Sequence, residues 1–389
     1  MIFPPSLFPS PRLEPEAVQL LDGVRGIAQK FNERAAAYDR SREFPRENIA
    51  AINSLGLNRM FLPEDVGGAP LSYAAYLACL IEISSACAST GLIWATNFHA
   101  AGPIAAFSTP EQRQRLLPVM AKGGLAAFAV TEPIGGSNAT AMRTRLRPEG
   151  DEVVVDGGKC FITNGGLADI YLVFGKWTEL GDGKEALTAI VLEKSTPAIN
   201  MERREKTIGH RASQTAVLTF NGCRVPRANV LLGPGQGMRV LLSALNKSRP
   251  SVAAHALGIA RAAFVDAVSY ANQREIRGQS LLHYQGNRFM VAELAADLAL
   301  CESMLWNIAR RIDEGDDEIA VGAAALKLRA GDLAVRAALE AIQLHGGYGY
   351  TEDYRPERLL RDAKLMQIGE GTSESLKDFI GRAFMTRDR

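Results

Sequence analysis

Glu370 stands between two glycines in QIGEGTSE, just ahead of an expected helix start at Thr372 or Ser373. A carboxylate there either complements the helix dipole or serves as a base in a backbone-lined site. Other short motifs precede it: TEPIGGSN from Thr131, KCFITNGG from Lys159, EKTIGHRAS from Glu205, FNGCRVP from Phe220, GPGQGM from Gly233, ANQREIRG from Ala271 and QLHGGYGYTEDYRPERLLRDAK from Gln343. Thr131 falls where a strand ends in a Gly-rich turn, and such a turn exposes backbone N–H groups to a ligand. Phe161 and Thr163 alternate with Ile162, so they share one strand face, although an aromatic there equally suits a core. Arg274 ends a long helix, where a guanidinium can grip a pyrophosphate bidentately or simply complement the dipole. Gly346 and Gly347 permit close approach of a ligand to the backbone, or cap the preceding helix. His99, His210, His255, His283 and His345 are scattered without metal-like pairing, so no metal site is expected. His99 and Trp94 are candidates for a pocket wall.

The elements that must position these residues fall into three zones. Up to about Gly124 the spacing is helical: Val18, Leu21, Val24, Ala28 and Phe31 form one stripe behind a Pro15-Glu16 start, and Ile49, Ile52 and Leu55 begin another stopped by Gly56. Leu77 to Ala95 reads as one buried helix, since Glu82 and several serines interrupt an otherwise apolar run. From Leu125 to Leu232 short strands are expected at Ala126–Val130, Val153–Val155, Ile170–Phe174, Leu187–Leu192 and Ala216–Phe220. Turn signals at Asp156-Gly157-Gly158, Asn164-Gly165-Gly166, Gly181-Asp182-Gly183 and Asn221-Gly222 separate them, giving a compact antiparallel β-domain. From Gly233 onward helices return over Ala253 to Gln273, Arg288 to Ile312 and Glu318 to Leu344, with Pro250 expected to kink or start one.

Composition narrows the function. With 44 basic and 43 acidic residues the net charge is +1, so neither a nucleic acid nor a membrane surface is an expected partner. The five cysteines are odd in number and irregularly spaced, which fits a reducing compartment and no disulfide framework. MIFPPSLFPSPR is broken by prolines, so it does not read as a signal peptide.

In this order and spacing, the motifs resemble those of the acyl-CoA dehydrogenase family over nearly the whole chain. The resemblance implies an α+β fold: an N-terminal helical domain (1–124), a central antiparallel β-barrel-like domain (125–232) and a C-terminal four-helix bundle (233–389). It implies FAD as cofactor. By the family's pattern Val130 and Thr131 hydrogen-bond the flavin ring, Phe161 lies against it and Thr163 sits near its N5. Thr372 belongs to the same cofactor-binding set. Arg274 binds the FAD pyrophosphate of a neighbouring subunit, with Gln343, Gly346 and Gly347 beside the phosphates and adenosine. Ser137 meets the CoA portion of an acyl-CoA, and Arg249, Gly369 and Gly371 face the substrate. Glu370 takes the α-proton while its own N–H and a ribityl hydroxyl bind the thioester oxygen, and the β-hydrogen leaves as hydride to the flavin.

The resemblance further implies an electron-transfer flavoprotein as acceptor, a homotetramer and a cytoplasmic setting. An oxygen-reactive oxidase or an acyl-carrier-protein dehydrogenase on the same fold stays open. Flavin monooxygenases generally lack the glutamate, and a non-catalytic scaffold would have damaged motifs. Ile134, Asn138 and Arg277 depart from the family's usual Gly, Asp and Phe, which bears on CoA-side and adenosine contacts. One subclass draws its base from the Arg249 region, but arginine cannot act so. Gly369 replaces a bulky residue common in straight-chain members. It leaves room for a branched or cyclic acyl group, unless neighbouring side chains refill the space.

Overall fold

A computed structural model describes residues 3–4, 6–136, 141–179 and 185–385. Ser137, Asn138 and the Gly181-Asp182-Gly183 turn lie outside the described residues. The N-terminal part holds α1 (Pro15–Ser41), α2 (Arg46–Ser54), α3 (Tyr73–Ala86), α4 (Ala88–Phe107), α5 (Pro110–Leu116) and α6 (Pro118–Ala121). Pro15 opens α1, because its missing N–H costs nothing in a first turn. The buried face of α1 is Ala17, Leu21, Val24, Ala28, Phe31 and Ala35, whereas Val18 is 46% exposed. Ala17 thus occupies the place expected for Val18, keeping a 4-3-4-3-4 spacing toward the core. The single apolar helix expected over Leu77 to Ala95 is two helices: Cys87 turns extended, at φ −151° and ψ 101°, and divides α3 from α4.

The sheet contains β1 (Ala126–Ala129), β2 (Arg145–Glu149), β3 (Glu152–Thr163), β4 (Ile170–Trp177), β5 (Ala186–Glu193), β6 (Ile199–Arg204) and β7 (Thr215–Pro226). It is chiefly antiparallel, but β1 and β2 each pair with β4 in parallel. Two strands were not expected. β2 carries arginines and Pro148, and β6 lies at the end of the strand order with four exposed residues in its six, so neither shows an apolar run. Two expected turns are bulges inside long strands. The β3–β7 register shifts between the Val155–Cys223 and Gly157–Phe220 pairs, where Gly157 sits at φ 145° and Gly222 at φ 68°, and the Gly222 N–H donates to Asp156 Oδ1 at 2.7 Å. A glycine at positive φ suits a bulge as well as a turn, so the dipeptides alone could not separate them. Asn164-Gly165-Gly166 does form its turn.

The C-terminal part consists of α7 (Gly237–Gln273), a small hairpin of β8 (Glu275–Ile276) and β9 (Gln279–Ser280), then α8 (Gln285–Asp313), α9 (Ala320–His345), α10 (Pro356–Ala363) and α11 (Ser373–Arg382). Pro250 lies inside α7 rather than starting a helix, and the Tyr73 hydroxyl donates to the nearby Lys247 carbonyl. Arg277 and Gly278, at φ 54° and 73°, form the two-residue tip of the β8–β9 hairpin, the backbone such a connection favours. By length and composition α7 could cross a membrane, but 78% of its apolar window is buried inside the fold. The largest core joins α1, α3, α7, α8 and α9, and the sheet has an apolar core on each face.

Candidate active site

The residues singled out in the sequence gather in three places. The first is the junction of β1 and β3. The Cys160 N–H donates to the Thr131 carbonyl at 2.9 Å, so the turn after β1 lies directly on β3. Lys159, fully buried, donates from Nζ to the Val130 carbonyl at 3.1 Å and to Glu132 Oε1 at 2.7 Å. Glu132 also accepts from the Thr144 hydroxyl at 2.7 Å and from two backbone N–H groups. Burial alone would raise its pKa, but the hydrogen bonds from Lys159, Thr144 and Arg143 outweigh that and hold it below the ordinary carboxylate range. The TEP glutamate and the KCFITNGG lysine therefore brace the turn from behind.

Phe161 does not simply alternate with Ile162. The β3–β7 register shifts between Lys159 and Ile162, and Phe161 takes φ 58° and is 64% exposed. A bulky residue in the left-handed region is a genuine outlier, and here it turns a large apolar ring outward. Thr163 follows at the strand end, half-buried. Asn164 locks the corner by donating to the Ala126 carbonyl at 2.9 Å and the Ile93 carbonyl of α4 at 3.1 Å.

The second place is the loop of Gly369, Glu370 and Gly371 between α10 and α11. Glu370 is half-buried and sits at φ 57°, with Gly371 at φ 110°. The Ser248 hydroxyl of α7 donates to Glu370 Oε2 at 2.7 Å. Among the described residues the Glu370 N–H has no acceptor, which leaves it available to a ligand. Thr372 caps α11 by accepting from the Ser375 N–H. A Cβ on Gly369 would come into ordinary contact with Leu365, at 3.7 Å or more.

Arg249 stacks 4.9 Å over the Phe379 ring, and its buried Nε has no partner. Burial lowers its pKa and the Glu370 charge pushes it back up. His99, buried on α4, shares a hydrogen bond with Ser251 Oγ at 2.9 Å, and Ser251 shares another with the Tyr76 hydroxyl at 2.7 Å. Burial lowers the His99 pKa against the opposing pull of Glu370. Because α4 touches both Asn164 and Ser251, it is a common wall between the β1–β3 corner and the Glu370 loop.

The third place is a cavity of about 650 Å³ lined by Arg274, Gln343, Gly346, Gly347, Tyr270 and Tyr348, among others. None of Val130, Thr131, Phe161, Thr163 or Glu370 lines it. Gly346 and Gly347 are open where a Cβ would project, with nothing within 4 Å, and Arg274 makes no ion pair among the described residues. An open glycine cradle beside a free guanidinium fits the phosphate portion of a dinucleotide.

Sequence reasoning missed several residues. Ser248 and Lys327 reach the Glu370 loop, yet neither lies in a motif. The EKTIGHRAS and RDAK segments find each other: the His210 N–H donates to the buried Asp362 carboxylate, and any Cβ at Gly209 would collide with the Arg361 carbonyl. Arg361 pairs with Asp39 and Glu357, and Arg355 grips Asp266 through two 2.7 Å bonds. These motifs brace the packing of the β-domain on the helices that carry the Glu370 loop.

Comparison with known proteins agrees across the chain. The acyl-CoA dehydrogenase N-terminal, middle and C-terminal domain families match residues 14–124, 127–223 and 235–385. An acyl-CoA dehydrogenase of Bacillus subtilis is 38% identical over 370 residues, covering 94% of this chain and 97% of that protein. The solved butyryl-CoA dehydrogenase of Megasphaera elsdenii is 33% identical, with a TM-score of 0.91 over 96% of this chain and 98% of that one. A chain solved in work on the electron transferring flavoprotein of Acidaminococcus fermentans is 34% identical, with a TM-score of 0.92 over 97% and 99% of the two chains. Matched in all three of its parts, the chain belongs to the acyl-CoA dehydrogenase family, FAD-dependent oxidoreductases acting on CH–CH bonds.

Proposed function

We propose that the protein oxidises an acyl-CoA thioester to the 2-enoyl-CoA, with Glu370 as the base. The observation that carries this is the Glu370 loop: a carboxylate fixed by Ser248 at 2.7 Å, beside its own N–H, which has no acceptor among the described residues. The Cα–H bond breaks toward the Glu370 carboxylate, and the Glu370 N–H is placed to bind the thioester oxygen as it gains negative charge. The hydride acceptor for the β-hydrogen would be supplied by FAD, so that the two C–H electron pairs would end as one C=C bond and one reduced cofactor. Val130, Thr131, Phe161 and Thr163 would hold the flavin ring, and Thr372 would complete the cofactor set. Arg249 and Gly371 face the acyl thioester, and Ser137 the CoA portion.

The missing side chain at Gly369, where a Cβ would reach only ordinary contact with Leu365, supports a branched or cyclic acyl group. The separation of the Arg274 and Gln343–Gly347 cavity from Glu370 supports a homotetramer in which that cavity completes a neighbour's FAD site. An electron-transfer flavoprotein as acceptor is supported by the likeness to the Acidaminococcus chain. The free cysteines support a cytoplasmic setting in acid or lipid catabolism.

Anaerobic titration of the flavin spectrum with linear, branched and cyclic acyl-CoAs tests the reading. Branched or cyclic thioesters should bleach the flavin fastest, and Glu370→Gln should abolish bleaching while FAD stays bound. Bleaching that survives Glu370→Gln removes Glu370 as the base, and a Gly369→Tyr variant fully active on the best branched substrate removes the specificity reading.

A further inference from the structure

Lys327 is a buried cation that the proposed chemistry has not used. It lies on α9 with 1% of its surface exposed, and its Nζ donates to the Gly371 carbonyl at 2.6 Å. It reaches that loop because α9 passes unusually close to it. A Cβ at Gly331, one turn further along, would collide with the Met366 carbonyl, so only glycine allows the approach. Asp332 secures the same edge by accepting from Gln367 Nε2 at 2.8 Å.

We infer that Lys327 is a positioning residue for proton abstraction, acting through the Glu370 loop by its charge and not only by its hydrogen bond. The inference rests on Glu370 being the base. Glu370 and Gly371 both hold positive φ, a backbone state that needs outside support. Ser248 supplies that support at the carboxylate and Lys327 at the next carbonyl.

The charge argument is separate. The groups acting on Lys327 are Glu370 from the loop, Arg249 from α7, Asp332 on its own helix and Glu374 from α11. Of these, Glu374 is exposed, and Asp332 already holds Gln367. At rest the Glu370 carboxylate answers the two cations Arg249 and Lys327. Once Glu370 takes the α-proton it is neutral, and the negative charge has moved to the thioester oxygen of the ligand. With Glu370 neutral, the half-buried Arg249 and the buried Lys327 lose the carboxylate nearest the reacting atoms, and both cations favour the moved charge. Burial lowers the Lys327 pKa to about 8, with Glu370 opposing the shift, so the ammonium form dominates at neutral pH and is lost above it.

The test uses the FAD-loaded enzyme and the 3-thia analogue of whichever acyl-CoA bleaches the flavin fastest. A sulfur at the β position permits α-deprotonation but blocks hydride loss, so the α-carbanion beside oxidised flavin is read as a long-wavelength absorbance band. Exchange of the α-protons into deuterium oxide reads the same step as a rate. Lys327→Met removes charge and donor, whereas Lys327→Gln keeps an N–H for Gly371. Both variants should lose tenfold or more in exchange rate and most of the band, with the bound-flavin spectrum unchanged. Wild-type exchange should fall as pH rises above about 8, following loss of the lysine proton. Exchange in Lys327→Met within twofold of wild type overturns the inference, and so does full rescue by Lys327→Gln. Should neither variant fold, wild-type exchange that stays level or rises from pH 7 to pH 9.5 overturns it. Glu370→Gln separates the two ideas: exchange persisting there defeats the base assignment itself, whatever Lys327 does.

Discussion

The Ser248 hydroxyl and the Glu370 carboxylate meet at 2.7 Å across 122 residues of sequence, joining the first half of α7 to the loop before α11. The serine does not add charge. It selects one rotamer of the carboxylate, so that the oxygen left free points at one place.

Ser248→Ala should therefore slow anaerobic flavin bleaching without loss of FAD. A hydrogen bond to a charged group is worth about 1.5–3 kcal/mol, so a tenfold or greater fall in rate is expected. Stopped-flow absorbance on the best acyl-CoA measures it. A rate within twofold of wild type would mean the bond is incidental.

The buried Lys159–Glu132 pair should show in pH-dependent stability. The folded Glu132 pKa is lowered, so its stabilisation is present at neutral pH and is lost as pH falls through the acidic carboxylate range. Lys159→Met leaves a buried carboxylate unpaired, and breaking such a pair costs about 3–5 kcal/mol. Urea denaturation at pH 7 should show that loss. Because Lys159 also holds the Val130 carbonyl, the visible flavin spectrum should shift in the same variant.

His210 and His255 share a hydrogen bond between their Nε2 atoms at 2.8 Å, both buried. Burial lowers both pKa values; for His255 the neighbouring His210 and His99 add to it, and for His210 the Asp362 and Asp39 charges oppose it. The neutral forms are favoured in the fold, so stability present above the ordinary histidine pKa erodes as pH falls below about 6.5. Each histidine steepens that decline by up to about 1.4 kcal/mol per pH unit. Melting temperatures from pH 7.5 to 5 should fall for wild type and flatten in a His210→Leu/His255→Gln double variant.

Gly209→Ala should destabilise through overpacking, because its Cβ would collide with the Arg361 carbonyl. About 1–3 kcal/mol is expected. Arg361→Ala removes the Asp39 and Glu357 pairs but leaves that backbone contact unchanged, so the two losses should add only in part when combined.

Much was legible in the sequence because it is local. Helical stripes, the Asn164 turn and the glycine-flanked glutamate depend on residues a few positions apart, and periodicity reads such spacing directly. The order of motifs was enough to name the family. Where local rules allow two outcomes, the sequence could not choose. Gly157 and Gly222 suit a turn or a bulge, and only the pairing of β3 with β7 made them bulges. Val18 and Ala17 are both apolar, and the packing of α1 on the core decided which one is buried. The site's working contacts were beyond reach for the same reason: Ser248 with Glu370, Lys327 with Gly371 and His210 with Asp362 join residues 122, 44 and 152 positions apart. Their meeting depends on how whole helices pack, a property of the assembled core that no short stretch of chain encodes.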